Sequence, residues 1–185
     1  MCGIVGYYGT KDAIPILING LKRLEYRGYD SAGIAVSGDA SIDFIKKAGK
    51  VKQLETALMD STLRGNIGIA HTRWATHGEP NDVNAHPHLD HTESIALIHN
   101  GIIENHYVLR TALENEGIEF VSETDSEVLV QLISSLYKND GLNFSDAVRA
   151  ALQEVIGAYG IVVISKDDPD TIVAARYGSP LVLGV

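Results

Sequence analysis

A single cysteine at the second position is the residue best placed for covalent chemistry. Cys2 directly follows Met1. Removal of Met1 would leave a thiol and a free α-amine on adjacent carbons, and an α-amine, whose ordinary pKa is about 7.7 to 8.0, can accept a proton near neutral pH. We expect a water to relay that proton and the thiolate to attack a carbonyl carbon. The structural alternative is that Cys2 is a small buried residue at the start of a strand.

A second candidate is the pair Asn100-Gly101, which follows an apolar run at 95–98. The Asn100 side-chain amide and the Gly101 backbone N–H are neutral donors that could stabilise a developing oxyanion. Removal of one such donor costs about 10²- to 10³-fold in rate. Asn-Gly is also a common turn dipeptide, so an ordinary turn is the alternative.

A third candidate is the loop that contains Arg73, Trp74, Thr76 and His77. The planar guanidinium of Arg73 suits a free α-carboxylate, and Asp125 could accept the matching α-ammonium. Together they would bind an unblocked amino acid. The structural alternatives are a surface cation at Arg73, a core anchor at Trp74 and a helix N-cap at Asp125.

Three histidines, His86, His88 and His91, lie within the short segment AHPHLDH. A catalytic zinc site needs three protein ligands in good geometry, and Pro87 with loop-like spacing provides no helical i,i+4 arrangement. We therefore interpret the three as solvated loop histidines, and we expect neither a metal nor a cofactor.

Composition excludes several classes of protein. The 185 residues carry a formal net charge of −9 and have no local run of basic residues, which argues against a nucleic-acid partner. No stretch approaches the about 20 apolar residues that cross a membrane, so we expect no membrane association. A lone cysteine cannot form an intrachain disulfide and fits a reducing compartment, hence a cytoplasmic location.

The apolar pattern predicts both strands and amphipathic helices in one domain. Strands are predicted at 4–8, 33–37, 42–46, 67–71, 95–99, 160–165, 171–175 and 181–183. Helices are predicted from Asp12, over 51–59, from Asn105 to Gly117, after a capping box at 124–127, and from Ser145 to Gly157. Strand clusters between helix clusters favour an α+β class with largely antiparallel sheets.

The sequence resembles the glutaminase domain of the glucosamine-6-phosphate synthase family. The matching segments are CGIVGY from Cys2, RLEYRGYDSAG from Arg23, HTRWATHG from His71, VNAHPH from Val83, HNGIIENH from His99 and VSETDSE from Val121. They span nearly all of the chain. CGI and the Asn-Gly pair are shared with other N-terminal-nucleophile amidotransferases, whereas EYRGYDSAG and RWATHGEP point to the sugar-phosphate branch.

The resemblance implies a role for each candidate. Cys2 would form a γ-glutamyl thioester with glutamine and release ammonia, with Asn100 and Gly101 as the oxyanion hole. Arg73 and Asp125 would hold the carboxylate and amino ends of the substrate, with Thr76 and His77 on the same loop. Trp74 would help to control ammonia passage. Arg27 matches a residue near the pocket, with no role assigned.

The resemblance also implies a four-layer αββα sandwich. Family members continue into two sugar-isomerase domains that bind fructose 6-phosphate, so residues 1–185 are expected to be a partial glutaminase domain. The activity expected is the glutaminase half-reaction of a glutamine-fructose-6-phosphate transaminase (isomerising), within a parent that forms homo-oligomers. The alternatives are another N-terminal-nucleophile amidotransferase and a catalytically silent binding module.

Overall fold

Two four-stranded antiparallel sheets form the centre of the molecule. The computed structural model of the chain describes residues 2–38, 41–74, 78–139 and 141–184. Its strands are β1 (Gly3–Tyr8), β2 (Ser31–Ser37), β3 (Ile42–Ala48), β4 (Ile67–Arg73), β5 (His88–Leu89), β6 (Ile95–Ile103), β7 (Gly157–Ser165) and β8 (Ile172–Tyr177). The first sheet has the order β1-β4-β2-β3 and the second has the order β5-β6-β7-β8. All strand pairs are antiparallel, as the sequence pattern predicted.

Helices cover the outer faces of the two sheets. They are α1 (Ala13–Leu24), α2 (Val51–Met59), α3 (His106–Asn115), α4 (Asp125–Asn139) and α5 (Phe144–Glu154), with a short 3-10 helix at Glu25–Arg27. The helices α1 and α2 pack on the first sheet, whereas α4 contacts β6 of the second sheet and packs against α3 and α5. Three apolar clusters result, one on each outer face and one between the sheets. The layer order is therefore αββα.

Local sequence signals explain several helix ends. Asp12 accepts a hydrogen bond from the Ile14 N–H at the start of α1, as predicted. Gly117 has φ 89°, and its N–H donates to the Glu114 carbonyl just beyond α3, also as predicted. Helix α5 begins at Phe144, near the predicted Ser145, and Asn143 caps it by accepting from the Asp146 N–H at 2.9 Å.

The predicted capping box before α4 is confirmed on one side only. Thr124 Oγ1 accepts from the Glu127 N–H, which is the expected cap. The Glu127 carboxylate does not return the bond to Thr124; it accepts from the N–H groups of Val121 and Ser122. Glu127 therefore ties the preceding loop to the helix.

Two sequence predictions were wrong. The segment 181–183 is not a strand, because β8 ends at Tyr177 and the chain then passes beside the cavity described below, where Leu181 and Val182 contribute to the wall. His86 and His88 are not solvated, since only 5% and 2% of their surfaces are exposed. His86 bonds to Ser126 of α4, and His88 bonds to Thr124, which caps that helix. His91 is exposed, as expected.

Candidate active site

Strand alternation brings the candidate residues to the space between the two sheets. Along β4, Ile67 and Ile69 belong to the cluster between the sheets, so Arg73 and His71 lie on that same face. Along β6, Ile98 is in the same cluster, and Asn100 follows it on the same face. Ile4 of β1 packs against that cluster too, and Cys2 precedes it by two residues. Three strands therefore deliver polar side chains to one end of the interlayer space.

A cavity of about 1010 Å³ opens at this end. Its walls include Cys2, Arg73, Trp74, Asn100, Gly101 and Asp125. Every sequence-predicted site residue within the described ranges therefore contacts one cavity. Thr76 and His77 lie outside the described residues. Arg27, which had no assigned role, also lines the wall.

The Cys2 thiol is half-buried at the cavity wall. Its Sγ accepts a hydrogen bond from the Trp74 backbone N–H at 3.2 Å and lies 3.6 Å from the Trp74 carbonyl oxygen. Burial raises the pKa of the Cys2 thiol, an effect that the hydrogen bond from Trp74 opposes. A thiol in this setting needs a base beside it before it becomes a nucleophile.

Asn100 of β6 links the second sheet to Cys2 and to His71 of the first sheet. Its Nδ2 donates to the Cys2 carbonyl oxygen at 3.2 Å, and its Oδ1 lies 2.9 Å from Nε2 of His71. An amide nitrogen carries two hydrogens, so one remains beyond the bond to Cys2. This places a side-chain donor beside Cys2 at the cavity wall.

Gly101 occupies a backbone conformation that favours glycine. Its φ is 144°, and a Cβ built on it would lie 1.9 Å from the Ala158 carbonyl oxygen of β7. The close pairing of β6 with β7 therefore requires glycine at the position that follows Asn100.

The charged residues of the site are buried. Arg73 is only 4% exposed, and its guanidinium donates to the carbonyl oxygens of Gly78 and Glu79, at 3.3 Å each. Asp125 is 7% exposed and accepts from the Ile103 N–H at 2.8 Å. Asp125 is the first residue of α4 and Thr124 caps it, so the N-cap alternative for Asp125 is wrong, and burial of Arg73 excludes the surface-cation alternative.

Trp74 is 55% exposed, which excludes the core-anchor alternative. The ring lies against Gly28, where a Cβ would come within 2.3 Å of the indole. Gly28 has φ 118°, a conformation that side chains rarely adopt. A glycine just after the 3-10 helix therefore allows an exposed indole to lie at the cavity wall.

A buried histidine cluster lies beside the cavity, and the sequence pattern did not predict it. It comprises His71, His86, His88 and His99, with ring centroids 4.1 Å apart for His71 and His86. Ser126 Oγ joins two of them, at 2.8 Å from His86 Nε2 and 2.9 Å from His99 Nδ1. Burial lowers the pKa of all four and brings that of His71 to about 3, so the rings are neutral near pH 7. Alternation along β4 from Arg73 was the available signal for His71.

Neither a metal-binding cluster nor a membrane-spanning helix occurs in the part of the chain that the structure describes. Within residues 2–38, 41–74, 78–139 and 141–184, no group of three histidine, cysteine, aspartate or glutamate side chains could hold a metal ion. Among the helices of the same ranges, none is long and apolar enough to cross a membrane.

Sequence comparisons identify relatives over the whole chain. Residues 71–182 match a family model described as a glutamine amidotransferase domain. The chain is 58%, 55% and 53% identical to the glutamine–fructose-6-phosphate aminotransferases (isomerizing) of Chlorobaculum tepidum, Bacteroides thetaiotaomicron and Thermus thermophilus. Each match covers 100% of this chain but only 30% or 31% of the relative. The chain thus spans about a third of the length of these relatives.

The fold of the chain is also similar to that of solved structures. The glutamine phosphoribosylpyrophosphate amidotransferase of B. subtilis, complexed with ADP and GMP, is 28% identical with a TM-score of 0.79, covering 95% of this chain and 37% of that one. A glutamine aminotransferase class-II domain protein from Silicibacter pomeroyi shares the fold at 17% identity and a TM-score of 0.60, covering 98% of this chain and 79% of that one. The predicted αββα sandwich of the N-terminal-nucleophile amidotransferases is confirmed. Because the family model matches more than half of its residues, the chain belongs to the glutamine amidotransferase domain family.

Proposed function

We propose that this chain hydrolyses glutamine to glutamate and ammonia, with Cys2 as the nucleophile after removal of Met1. One observation carries the proposal. The Cys2 thiol borders a cavity that also contacts two oxyanion donors, Asn100 and Gly101, and two opposite charges, Arg73 and Asp125. A γ-carboxamide, an α-carboxylate and an α-ammonium therefore each have a partner of matching chemistry.

The reaction begins at sulfur. The free α-amine of Cys2 takes the thiol proton through a water, and Sγ attacks the side-chain carbonyl carbon of glutamine. Asn100 Nδ2 and the Gly101 N–H stabilise the oxyanion that forms. The carbon–nitrogen bond then breaks as the leaving nitrogen takes the proton from the amine, which releases ammonia and leaves a γ-glutamyl thioester. Water attacks the thioester, and glutamate leaves with Cys2 regenerated.

Substrate recognition rests on the buried charges. Arg73 binds the α-carboxylate, since its planar fork matches two oxygens, and Asp125 binds the α-ammonium. The loop that follows Arg73 also contributes to substrate binding, through Trp74, Thr76 and His77. The hydrogen bonds from Arg73 to Gly78 and Glu79 support this assignment, because they hold the cation against the loop that would enclose glutamine.

The names of the relatives support a wider proposal for the full-length protein. In it, ammonia from this domain converts fructose 6-phosphate to glucosamine 6-phosphate in fused sugar-isomerase domains. The full-length protein is a homo-oligomer of the cytoplasm. The single cysteine among these 185 residues, which would suit a reducing compartment, supports the location.

The test is covalent labelling with a glutamine-like electrophile, followed by intact-mass measurement and peptide mapping. We expect one label per chain, on Cys2, in molecules that have lost the mass of Met1. Glutamine should protect against labelling, whereas asparagine, one methylene shorter, should protect less. Retention of Met1, or a label on any other residue, would contradict the proposal and favour a silent binding module.

A further inference from the structure

We propose that His71 is a positioning residue for oxyanion stabilisation: its Nε2–H holds Oδ1 of Asn100 and thereby directs the Asn100 Nδ2 donor toward Cys2. The inference rests on the proposed glutaminase function and adds a residue to it. His71 does not contact the substrate in this mechanism; it acts through Asn100.

The contacts of His71 determine which ring nitrogen carries the proton. Nε2 lies 2.9 Å from Asn100 Oδ1 and 3.1 Å from the His99 carbonyl oxygen. A carbonyl oxygen only accepts, and the amide of Asn100 presents its oxygen. Nε2 must therefore be the donor, shared between the two oxygens.

This donor gives Asn100 a single favourable orientation. Nδ2 donates to the Cys2 carbonyl oxygen at 3.2 Å on the other side of the amide. A rotation of the amide by 180° would set its NH₂ against the His71 N–H and its oxygen against the Cys2 carbonyl. Both contacts would become repulsive, and both hydrogen bonds of the Asn100 amide would be lost. His71 and Cys2 thus specify the direction of the donor from opposite sides.

Burial keeps His71 in the form that this role requires. The ring is 1% exposed and packs against His86, and in the described part of the chain its Nδ1 has no hydrogen-bond partner. A second proton would sit on that unpartnered nitrogen, and burial lowers the pKa of His71 to about 3. The ring therefore stays neutral across the range in which a thiol enzyme works, and it takes no part in proton transfer.

The position of His71 in β4 explains why its effect is local. It pairs with Ile4 of β1 and Gly33 of β2, in the middle strand of its sheet, so the backbone is held on both sides. Substitution is expected to change the orientation of the Asn100 amide more than the course of the strands.

The experiment compares two variants of the full-length protein in which an amide side chain replaces the His71 imidazole. In His71→Gln, the side-chain nitrogen can reach the place of His Nε2; in His71→Asn it falls short and reaches only the place of Nδ1. His88→Asn is the matched control, since His88 is equally buried but bonds to Thr124 and does not bond to Asn100. Each variant is assayed for ammonia release from glutamine and for alkylation of Cys2 by iodoacetamide, a reaction in which no oxyanion develops.

We expect His71→Asn to lower kcat by about ten- to a hundredfold with little change in KM, somewhat less than outright removal of an oxyanion donor. His71→Gln should recover most of that loss. Alkylation of Cys2 should proceed at the wild-type rate in both variants, because binding site and nucleophile are intact.

Three results would overturn the inference while the wild type remains active: unchanged kcat in His71→Asn, no recovery in His71→Gln, or an equal loss in His88→Asn. Slower alkylation in parallel with slower hydrolysis would also overturn it, because a general structural defect affects both. A wild-type protein that neither releases ammonia nor takes the glutamine-like label at Cys2 would refute the glutaminase proposal itself.

Discussion

The two ends of the space between the sheets share strands β4 and β6 and differ completely in chemistry. One end is apolar and comprises Ala35, Ile42, Ile67, Ile69, Ala96, Ile98, Val162 and Ile164. At the other end the same faces carry polar residues: Ile69 of β4 is followed two residues later by His71, and Ile98 of β6 is followed by Asn100. Alternation alone makes each pair neighbours on one face.

The comparison shows how a rigid core can hold a reactive site. The apolar end needs only close packing, whereas each polar group at the other end needs a partner because burial removes it from water. His71 and Asn100 partner each other. In the described residues, however, His71 Nδ1 and His86 Nδ1 have no hydrogen-bond partner. We infer that the polar end lowers stability and that the apolar end offsets this.

Replacement of the nucleophile should have the largest effect on the polar end. Cys2→Ala is expected to abolish ammonia release from glutamine, because no other group can form the thioester. The apolar end should be unaffected, so the free energy of unfolding should change by less than about 1 kcal/mol. Normal turnover by this variant would refute the role of Cys2, and a coupled assay for ammonia with urea unfolding measures both quantities.

Shortening a side chain at the apolar end should lower stability and leave activity unchanged. Ile164→Ala removes a side chain that is 1% exposed, and the loss of buried area with the resulting cavity is expected to lower the free energy of unfolding by about 2 to 5 kcal/mol. Ile164 pairs with Ala96, at the far end of β7 from the residue that pairs with Asn100. Molecules that remain folded should therefore keep the wild-type kcat. A comparable fall in kcat under folded conditions would show that the two ends are not separable.

A smaller effect, on the KM for glutamine, is expected when the cation at the polar end is replaced by another. Arg73→Lys keeps the charge but replaces a planar fork with a point charge, so KM for glutamine should rise by about tenfold with a smaller change in kcat. Arg149→Lys is the control, because Arg149 is exposed and pairs only locally with Asp146. An unchanged KM in Arg73→Lys would argue against the carboxylate role.

The smallest effect per substitution is expected in the pH dependence of the free energy of unfolding, to which the buried histidines beside the polar end contribute. Burial lowers the pKa of the clustered histidines below the unfolded value of about 6.5, so the folded state binds fewer protons than the unfolded state. The stability is therefore fully present above about pH 6.5 and declines as the pH falls below it. Replacing one member, as in His88→Leu, should reduce the slope of unfolding free energy against pH between 6.5 and 5 by at most about 1.4 kcal/mol per pH unit. An identical slope in His88→Leu and in the wild type would contradict the neutral buried state.

Prediction from the sequence succeeded where a signal is local. Asp12 and Gly117 mark helix ends through hydrogen bonds to residues a few positions away, so composition and spacing were sufficient. The segment 181–183 has strand composition, yet within the described ranges it pairs with no strand, and pairing partners are not encoded locally. His86 and His88 looked solvated for a similar reason: their hydrogen-bond partners, Ser126 and Thr124, lie about 40 residues further along the chain, at the start of α4.

What the sequence determined by itself is the set of reactive groups: a thiol beside the chain start, an amide before a glycine, and a cation and a carboxylate for the ends of an amino acid. These follow from residue type and from short-range patterns. Only the tertiary structure decided that β1, β4 and β6 bring these groups to one cavity, that the histidines are neutral, and that His71 faces Asn100. Those facts depend on which faces of two sheets meet, and that is settled by apolar contacts between residues far apart in sequence.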